Sequence, residues 1–434
     1  METKTKKQLV IIGGGFAGLN VAKRIDKKLY NVILVDKHNY NSFPPLFYQI
    51  ASSGLEPASI SFPFRREFRK GPYKGCRYHL GEVKDIDTDA HRIHTQFETI
   101  PYDLLVISAG TTNNFFGNAD LEKHVYTLKS TPEAIRCRNE ILDRLERASL
   151  THDPALRRRL LTFTVIGGGP AGVEIAGALG EMKKFVLARE YPDISPDEVR
   201  VLIIEGSDSL LRTMSPESGR DALTALNKLM VDVRLNLTMT SYTDGIATFS
   251  DGTTLATDTL IWAAGVTGVP FTISDPAFRP GHGGRLPVDP FNKVIGLDDV
   301  YAVGDIALME TPDTPHGHPQ VAQVAIQQGQ NLARTLNKPS AAKPFRYKDK
   351  GSMATIGRNK AVVDIGRLHF SGWFAWLVWM FIHLISLLGM RNKFVVMINW
   401  TWSYFTFSSS LRLMLRPGRY PLRSYWSPEP HADS

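Results

Sequence analysis

The 434-residue chain is poor in cysteine: it has two, Cys76 and Cys137. They lie far apart and form no C-x-x-C pair. That gives no support for a disulfide framework, a zinc site or a dithiol redox centre, and it fits a reducing compartment. His316 and His318 form a His–Gly–His string with no third ligand nearby, so it reads as a loop and no metal is expected. Met1–Gln8 is polar and lysine-rich and runs straight into strand-like apolar residues, so no secretory signal is read there. Acidic residues are the minority charge: 43 Asp and Glu against 51 Lys and Arg leave a net charge of +8. A basic balance suits nucleic acid or anionic lipid. No nucleic-acid recognition module is visible, and the basic residues are scattered or flank apolar stretches, which favours lipid. Hydrophobic residues make up 43% and charged residues 22%, the proportions of a globular protein, and the length suits two to three domains.

What is present is a repeat. Ile11-Ile12-Gly13-Gly14-Gly15-Phe16-Ala17-Gly18 recurs as Val165-Ile166-Gly167-Gly168-Gly169-Pro170-Ala171-Gly172. Each copy lies between an apolar strand (Leu9–Ile12, Leu161–Ile166) and the start of a helix. That spacing serves a pyrophosphate: the first glycine allows the tight turn, the second admits the backbone to the phosphates, and the third lets helix and strand touch. The helix N-terminus then faces the anion. A second strand follows each copy and ends in an acid suited to ribose hydroxyls, Asp36 in the first and Glu205 in the second. Glu205 comes 33 residues after Gly172, more than the usual ~20, with the excess in a longer helix and the polar loop Tyr191–Glu198. An acid there favours NAD(H), because it repels a 2′-phosphate. Both units also contain a later apolar strand running into Ala–Gly: Ala109-Gly110 after Leu104–Ile107, and Ala264-Gly265 after Thr259–Trp262. Two dinucleotides on one chain point to electron transfer between them.

Val300–Val303 runs into Gly304-Asp305, and a helix is expected from about Gln320 to Leu336. This resembles the closing flavin motif of the two-dinucleotide-binding flavoprotein reductases, in which the aspartate bonds the ribityl chain and the helix N-terminus faces the flavin pyrimidine. A helix N-terminus carries about half a positive charge, which favours a reduced, anionic flavin. The expected fold is therefore α/β: two Rossmann-like dinucleotide-binding domains of the glutathione-reductase type, one inserted in the other, plus a C-terminal helical membrane-anchoring region. Residues 1–112 and 285–350 would form the FAD domain, 113–284 the NADH domain and 351–434 the anchor.

Several strings are similar to type II NADH dehydrogenases, the single-subunit, non-pumping NADH:quinone oxidoreductases, and the resemblance spans nearly the whole length. They are Asp36–Tyr40 running into Phe43–Ala51, Gly169–Glu174, Ala322–Gly329 and Gly351–Arg358. The long gap before Glu205 also occurs in that family. The resemblance implies one non-covalent FAD at Gly13, Gly14, Gly15, Phe16, Ala17, Gly18, Asp36, Lys37, Val83, Ala109, Gly110, Gly304, Asp305, Ala322, Gln323, Val324 and Ala325. It implies NADH, as substrate, at Gly167, Gly169, Pro170, Ala171, Gly172, Glu174, Glu205, Ala264 and Gly265. It places Gln323, Gln327 and Lys393 at a quinone site, where neutral amides suit a quinone carbonyl. Glu174 lies two residues past Gly172, about 200° round the helix, and the family places a glutamate between nicotinamide and flavin. It would either relay the quinol's protons as a catalytic residue or serve packing and electrostatics alone.

Phe370–Met390 contains no Asp, Glu, Lys or Arg, and its 21 residues are long enough to span a bilayer. Trp373, Trp376 and Trp379, the embedded His383 and Ser386, and the aromatic stretch Phe394–Phe407 favour instead a monotopic platform in one leaflet, as the resemblance also implies. Arg412, Arg416 and Arg419 would meet anionic lipid. The expected protein is a homodimer on the cytoplasmic face of the cell inner membrane, passing electrons from NADH to FAD to a membrane quinone such as ubiquinone or menaquinone. No set of transmembrane acids is present for pumping. A sulfide:quinone oxidoreductase is the rival enzyme, but it needs paired cysteines, and Cys137 sits between Arg136 and Arg138 in what reads as a solvated helix. A low-turnover flavin redox sensor is the rival from another class.

Overall fold

The computed structural model describes residues 6–275, 278–406 and 411–415. Arg416 and Arg419 lie outside the described residues.

Two parallel sheets organise the chain. In the first, the strand order is Val300–Ala302, Leu104–Ile107, Lys7–Ile12, Tyr30–Asp36 and Cys76–Leu80. In the second it is Val231–Arg234, Arg200–Ile204, Thr162–Ile166 and Thr259–Trp262. Parallel strands are covered on both faces, so they read as unbroken apolar runs, and Leu9–Ile12 and Thr162–Ile166 are buried throughout. The chain leaves the first sheet after Ile107, builds the whole second sheet, and returns at Val300. The nested arrangement of the two Rossmann-like units follows. Thr111–Asn113 on the way out pairs antiparallel with Val266–Gly268 on the way back, forming a two-stranded ribbon between the sheets.

The glycine repeats do the steric work their spacing implied. Gly13 and Gly167 have φ of +95° and +108°, where an L side chain is strained. A Cβ on Gly18 would lie 2.0 Å from the Gly13 carbonyl oxygen, and one on Gly172 would lie 1.9 Å from that of Gly167. Any side chain there would force helix and strand apart.

The Thr131–Leu150 helix corrects one expectation: Cys137 and Arg138 are buried, not solvated. Ala134, Cys137, Ile141, Leu145 and Ala148 recur at helical spacing and enter the largest apolar cluster. Helical phase, rather than the flanking arginines, decides which way Cys137 faces. Its thiol is pushed up by burial. Among the described residues, no group of three or more His, Cys, Asp or Glu could hold a metal ion.

The C-terminal segment opens with an antiparallel sheet of Ser352–Thr355, Ala361–Ile365 and Leu368–Gly372. Two helices follow, Trp373–Ser386 and Met390–Thr406, separated at Leu387–Gly389, where Gly389 has φ +76°. The uncharged run Phe370–Met390 is therefore not one helix. It begins in a strand, and its helical part of 14 residues rises about 21 Å, short of the ~30 Å hydrocarbon core. Among the described residues, no helix is long and apolar enough to cross a membrane, so the spanning alternative is set aside. The inward residues Ala375, Trp379, Leu387 and Val396 belong to the largest apolar cluster, together with residues of the second sheet.

A polar latch fixes the C-terminal sheet to the second unit. Asp364 accepts from the Ser215 amide at 2.7 Å and from the Ser215 and Ser218 hydroxyls at 2.9 and 3.1 Å. His369 bridges Asp364 at 2.8 Å and Asp221 at 3.1 Å. Burial opposes the charged forms of both residues. Their hydrogen bonds outweigh it, so His369 is raised above its ordinary value of 6.5 and Asp364 is lowered below 3.8. A raised histidine contributes stability that is fully present below pH 6.5 and is lost as pH rises through its folded value. His369→Gln is therefore expected to lower the melting temperature most near pH 6 and least near pH 9. Thermal denaturation across that range checks this; an equal loss at every pH would contradict it.

Candidate functional site

Each glycine loop is closed by the acid that the sequence assigned to ribose. Asp36 accepts from the amides of Gly14 at 2.6 Å and His38 at 2.8 Å. Glu205 accepts from the Gly168 amide, and from the Ser207 amide and hydroxyl at 2.7 Å each. The two loops thus share one closure, from the middle glycine to the acid one strand over. A carboxylate has about four lone-pair sites, so each acid keeps acceptor capacity for a ribose. Burial pushes the Asp36 carboxyl up, against those amide bonds and the charges of His38 and Lys37.

The residues present fit two nucleotides. A Cβ on Gly15 or Gly169 would meet nothing within 4 Å, so the middle of each loop is open to an approaching group. The helices starting at Phe16, Pro170 and Ala322 have no side-chain cap, whereas Asn118, Ser130, Asp153 and Ser215 cap theirs. Uncapped N-termini leave amide donors free for an anion.

The helix start after the first loop is the more enclosed. Gly304, with φ +80°, sits where a Cβ would lie 3.1 Å from Ala17 and 3.3 Å from Ala325. Its amide donates to Gln328 at 2.7 Å. The helix Ala322–Asn337 lies on the helix Phe16–Arg24, with Gly304 between Ala17 and Ala325; Asp305 follows Gly304, Ala322 opens the helix, and Val324 is buried in the cluster that holds Val10 and Ile12. Asp305 is pushed up by burial, against the cations Lys129 and Arg285 and a hydrogen bond from Thr111. Lys129 donates to Thr111 Oγ1 at 3.1 Å. Sequence reasoning missed Lys129 and Arg285, since lone basic residues between elements carry no pattern. Ala109 and Gly110 follow the Leu104–Ile107 strand, and nothing stands within 4 Å of a Cβ on Gly110. Lys37 is exposed, and Val83 is buried in a strand paired with Thr95.

The second helix starts in the open: Pro170 and Ala171 are exposed, whereas Phe16 is half-buried and Ala17 buried; among the glycines the order is reversed, Gly15 being exposed and Gly169 half-buried. Ala264 is half-buried and Gly265 exposed.

Glu174, on the buried side of Pro170–Glu181, is 8% exposed. It accepts a long 3.4 Å bond from the Thr355 amide. The Trp379 indole N–H, which has no hydrogen-bond partner among the described residues, lies near enough to favour the carboxylate. Burial outweighs both and pushes the carboxyl to about 8, a bias on the order of 5 kcal/mol against the ionised form. Trp379 stacks on His383 at 4.0 Å; His383 meets Phe43 at 6.0 Å, and Phe43 meets Phe16 at 5.6 Å. An unbroken row of side chains therefore joins Phe16 of the first loop to Glu174 of the second helix, through the first C-terminal helix. Burial pushes His383 down to about 4, so it is neutral at pH 7. The sequence flagged Glu174 and the strings holding Thr355 and Trp379, but nothing in it joined them.

The residues assigned to quinone are engaged elsewhere. Gln323 donates to the Gly351 carbonyl at 2.6 Å and accepts from the Lys350 amide at 3.0 Å. Gln327 does the same at Lys348, at 2.9 and 3.0 Å. Both amides clasp the segment leading into the C-terminal sheet. Lys393 donates to the Ile385 carbonyl at 2.6 Å, near the end of the Trp373–Ser386 helix.

Comparison with known proteins agrees with this architecture. Residues 7–329 match the family model of the pyridine nucleotide-disulphide oxidoreductases, and residues 350–407 match that of the NDH2 C-terminal domain. The chain is 36% identical to the type II NADH:quinone oxidoreductase NdhA of Mycobacterium tuberculosis, over 92% of this chain and 87% of that protein. It is 30% identical to an internal alternative NAD(P)H-ubiquinone oxidoreductase of Arabidopsis thaliana mitochondria, over 92% and 84%. The solved structure of NDH2 from Plasmodium falciparum in complex with NADH superposes with a TM-score of 0.87 at 21% identity, over 95% of this chain and all of that one (100%). The chain belongs to the pyridine nucleotide-disulphide oxidoreductases and, within them, to the type II NADH dehydrogenases.

Proposed function

We propose that the protein transfers two electrons from NADH, through one non-covalent FAD, to a membrane quinone, without pumping protons. The observation that carries this reading is the row from Phe16 to Glu174, which brings both nucleotide loops to one buried carboxyl under the C-terminal helices. FAD belongs in the first loop, at Gly13–Gly18, Asp36, Gly304 and Asp305, and NADH in the second, at Gly167–Gly172 and Glu205. An FAD held there would supply the two-electron redox chemistry that links hydride donation by NADH to reduction of a quinone. The protein's part is to hold the two nucleotides, keep water away, and keep Glu174 protonated near neutral pH. Gln323, Gln327 and Lys393 would border the quinone from the edge of the C-terminal segment. The domain limits 1–112 with 285–350, 113–284 and 351–434 follow the same division.

Sulfide:quinone chemistry is not favoured, because Cys76 and Cys137 are buried in separate apolar clusters. The C-terminal helices support a membrane-facing role: Phe374, Phe381, Ile385, Phe394, Ile398 and Trp402 are exposed large hydrophobics on the faces turned from the core. A contiguous apolar face of that kind marks an interaction surface. With a net charge of +8, it suits the anionic cytoplasmic leaflet of the cell inner membrane, entered as a monotopic platform by a homodimer.

Three outcomes are expected. The purified protein should be yellow, bleached by NADH and recoloured by quinone. Failure of NADH to bleach it would return the reading to sulfide chemistry, and retained FAD with negligible quinone turnover would favour a sensor. Glu174→Gln should lower kcat with quinone by roughly 10²-fold, as for a lost general acid, while NADH still bleaches the protein. In the wild type the rate should fall as pH rises through about 8, where the carboxyl loses its proton, and the variant should lack that limb. Unchanged turnover with an unchanged pH profile would leave Glu174 a packing role only. Finally, Phe381→Glu with Phe394→Glu should release the protein from anionic liposomes and slow turnover of a long-chain quinone, but not of a short-chain soluble one. Retained flotation with the liposomes would contradict the membrane assignment.

A further inference from the structure

The two nucleotide-binding units differ at one matched position. In each, a strand beside the one that enters the glycine loop runs into Ala–Gly. Both of these glycines lie in the left-handed region, Gly110 at φ +71° and Gly265 at φ +77°. A Cβ on Gly110 would meet nothing within 4 Å, whereas one on Gly265 would lie 2.7 Å from Cζ of Phe116. The phenyl ring therefore covers the Gly265 backbone and fills the place that stands open in the first unit. It is not buried there: Phe116 is 69% exposed.

The ring is held there against the preference of its own backbone. Phe116 has φ +51°, a conformation that is costly for a bulky residue and persists only where the surroundings impose it. The turn Asn114–Gly117 imposes it. The Asn114 side chain accepts from the Phe116 amide at 2.8 Å. The Asn114 amide donates to the Gly265 carbonyl at 3.3 Å, and its carbonyl accepts from the Trp262 indole at 3.0 Å. Two hydrogen bonds thus fasten the turn to the end of the Thr259–Trp262 strand, and Phe116 lies 6.2 Å from the Trp262 ring. An apolar ring gains nothing from water, so a strained and exposed one fixed at a strand end points to a ligand surface.

The order of the strands decides which part of a dinucleotide reaches the ring. The second sheet runs Val231–Arg234, Arg200–Ile204, Thr162–Ile166, Thr259–Trp262, and ligands of such sheets lie across the carboxyl ends of the strands. Glu205 follows the second of these strands, Gly167–Gly172 the third, and Phe116 stands at the end of the fourth. The third and fourth ends adjoin, because a Cβ on Gly167 would lie 2.8 Å from the Ala263 carbonyl. With the adenosine ribose on Glu205 and the pyrophosphate on the glycines, the nicotinamide half extends toward Phe116. The same end leads to the first unit, since Val266–Gly268 pairs with Thr111–Asn113. We propose that Phe116 is a substrate-positioning residue whose exposed ring stacks on the nicotinamide of NADH and steadies it beside the first unit. This rests on the reading of the second loop as the NADH site.

The test uses the full-length FAD-loaded enzyme and two probes: NAD⁺, and ADP-ribose, which keeps the adenine, both riboses and the pyrophosphate but lacks nicotinamide. Phe116→Asn removes the ring and leaves a residue that accepts the left-handed backbone, whereas Phe116→Tyr keeps a ring. In calorimetric titrations, Phe116→Asn should weaken NAD⁺ binding roughly two- to tenfold, the usual worth of an aromatic pair, while ADP-ribose binds as in the wild type. The KM for NADH should rise by a similar factor, so that kcat/KM falls mainly through KM. Phe116→Tyr should restore NAD⁺ affinity and KM. Glu205→Ala, at the adenosine end, should weaken both probes alike. If Phe116→Asn leaves NAD⁺ affinity unchanged, or weakens both probes equally, the ring does not meet nicotinamide and the proposal is wrong, while Glu205→Ala still upholds the second loop as the NADH site. If Glu205→Ala affects neither probe, that underlying reading fails first. Should Phe116→Asn not fold, Phe116→Leu, apolar but without a ring, decides by the same contrast between the probes.

Discussion

A carboxyl kept out of water organises this molecule. Glu174 has one long amide bond and a nearby indole in place of a hydration shell. Such a group is tolerated because it stays protonated near neutrality, and it stays protonated only while it is covered. The cover is the C-terminal segment, which supplies Thr355 on a strand end and Trp379 on a helix. That segment is consequently part of the main core, latched to the second unit through Asp364 and His369 and clasped by Gln323 and Gln327. A chain lacking it would expose the carboxyl and leave the inner face of the second glycine helix unpaired.

The two nucleotide loops are built alike yet enclosed differently. In both, an acid on the neighbouring strand accepts from the middle glycine, and a missing Cβ lets helix and strand touch. Only the first is roofed, by Gly304 and the helix that begins at Ala322, so that Phe16 and Ala17 are withdrawn from solvent while Pro170 and Ala171 are not. A roofed loop suits a resident cofactor and an open one suits a substrate that leaves each turn. The asymmetry comes from chain order: the insertion ends before Val300, so the closing strand and helix return to the first sheet.

Much of this could be read in the residues. The strand–glycine–helix units, their acids and the Gly304-Asp305 closure depend on local sterics, and local sterics leave a local pattern. The row around Glu174 does not. Phe43, Thr355, Trp379 and His383 come from three segments spread over more than three hundred positions, and each alone looks like ordinary core. Lys129 and Arg285 were invisible for the same reason: what marks them is the buried Asp305 between them, and that is a tertiary fact. The Thr131–Leu150 helix shows a different failure. Its arginines suggested solvent, but the phase of Ala134, Cys137, Ile141 and Leu145 places the cysteine inside.

The uncharged run Phe370–Met390 shows why hydropathy alone could not choose between a span and a platform. A helix that is apolar all round can be surrounded by lipid, or it can lie with one face on protein and the other on something apolar. Hydropathy sums both faces and gives the same answer in each case. Here Ala375 and Trp379 point inward while Phe374 and Phe381 point outward, and the helix ends at Ser386, too soon to cross. The break at Leu387–Gly389 turns the chain back for a second helix with the same division, Val396 inside and Phe394 and Ile398 outside. Two short helices so arranged offer an apolar surface on one side and the cover of Glu174 on the other. A lipid-soluble electron acceptor approaching that surface would have only the thickness of this helix layer between itself and the buried carboxyl.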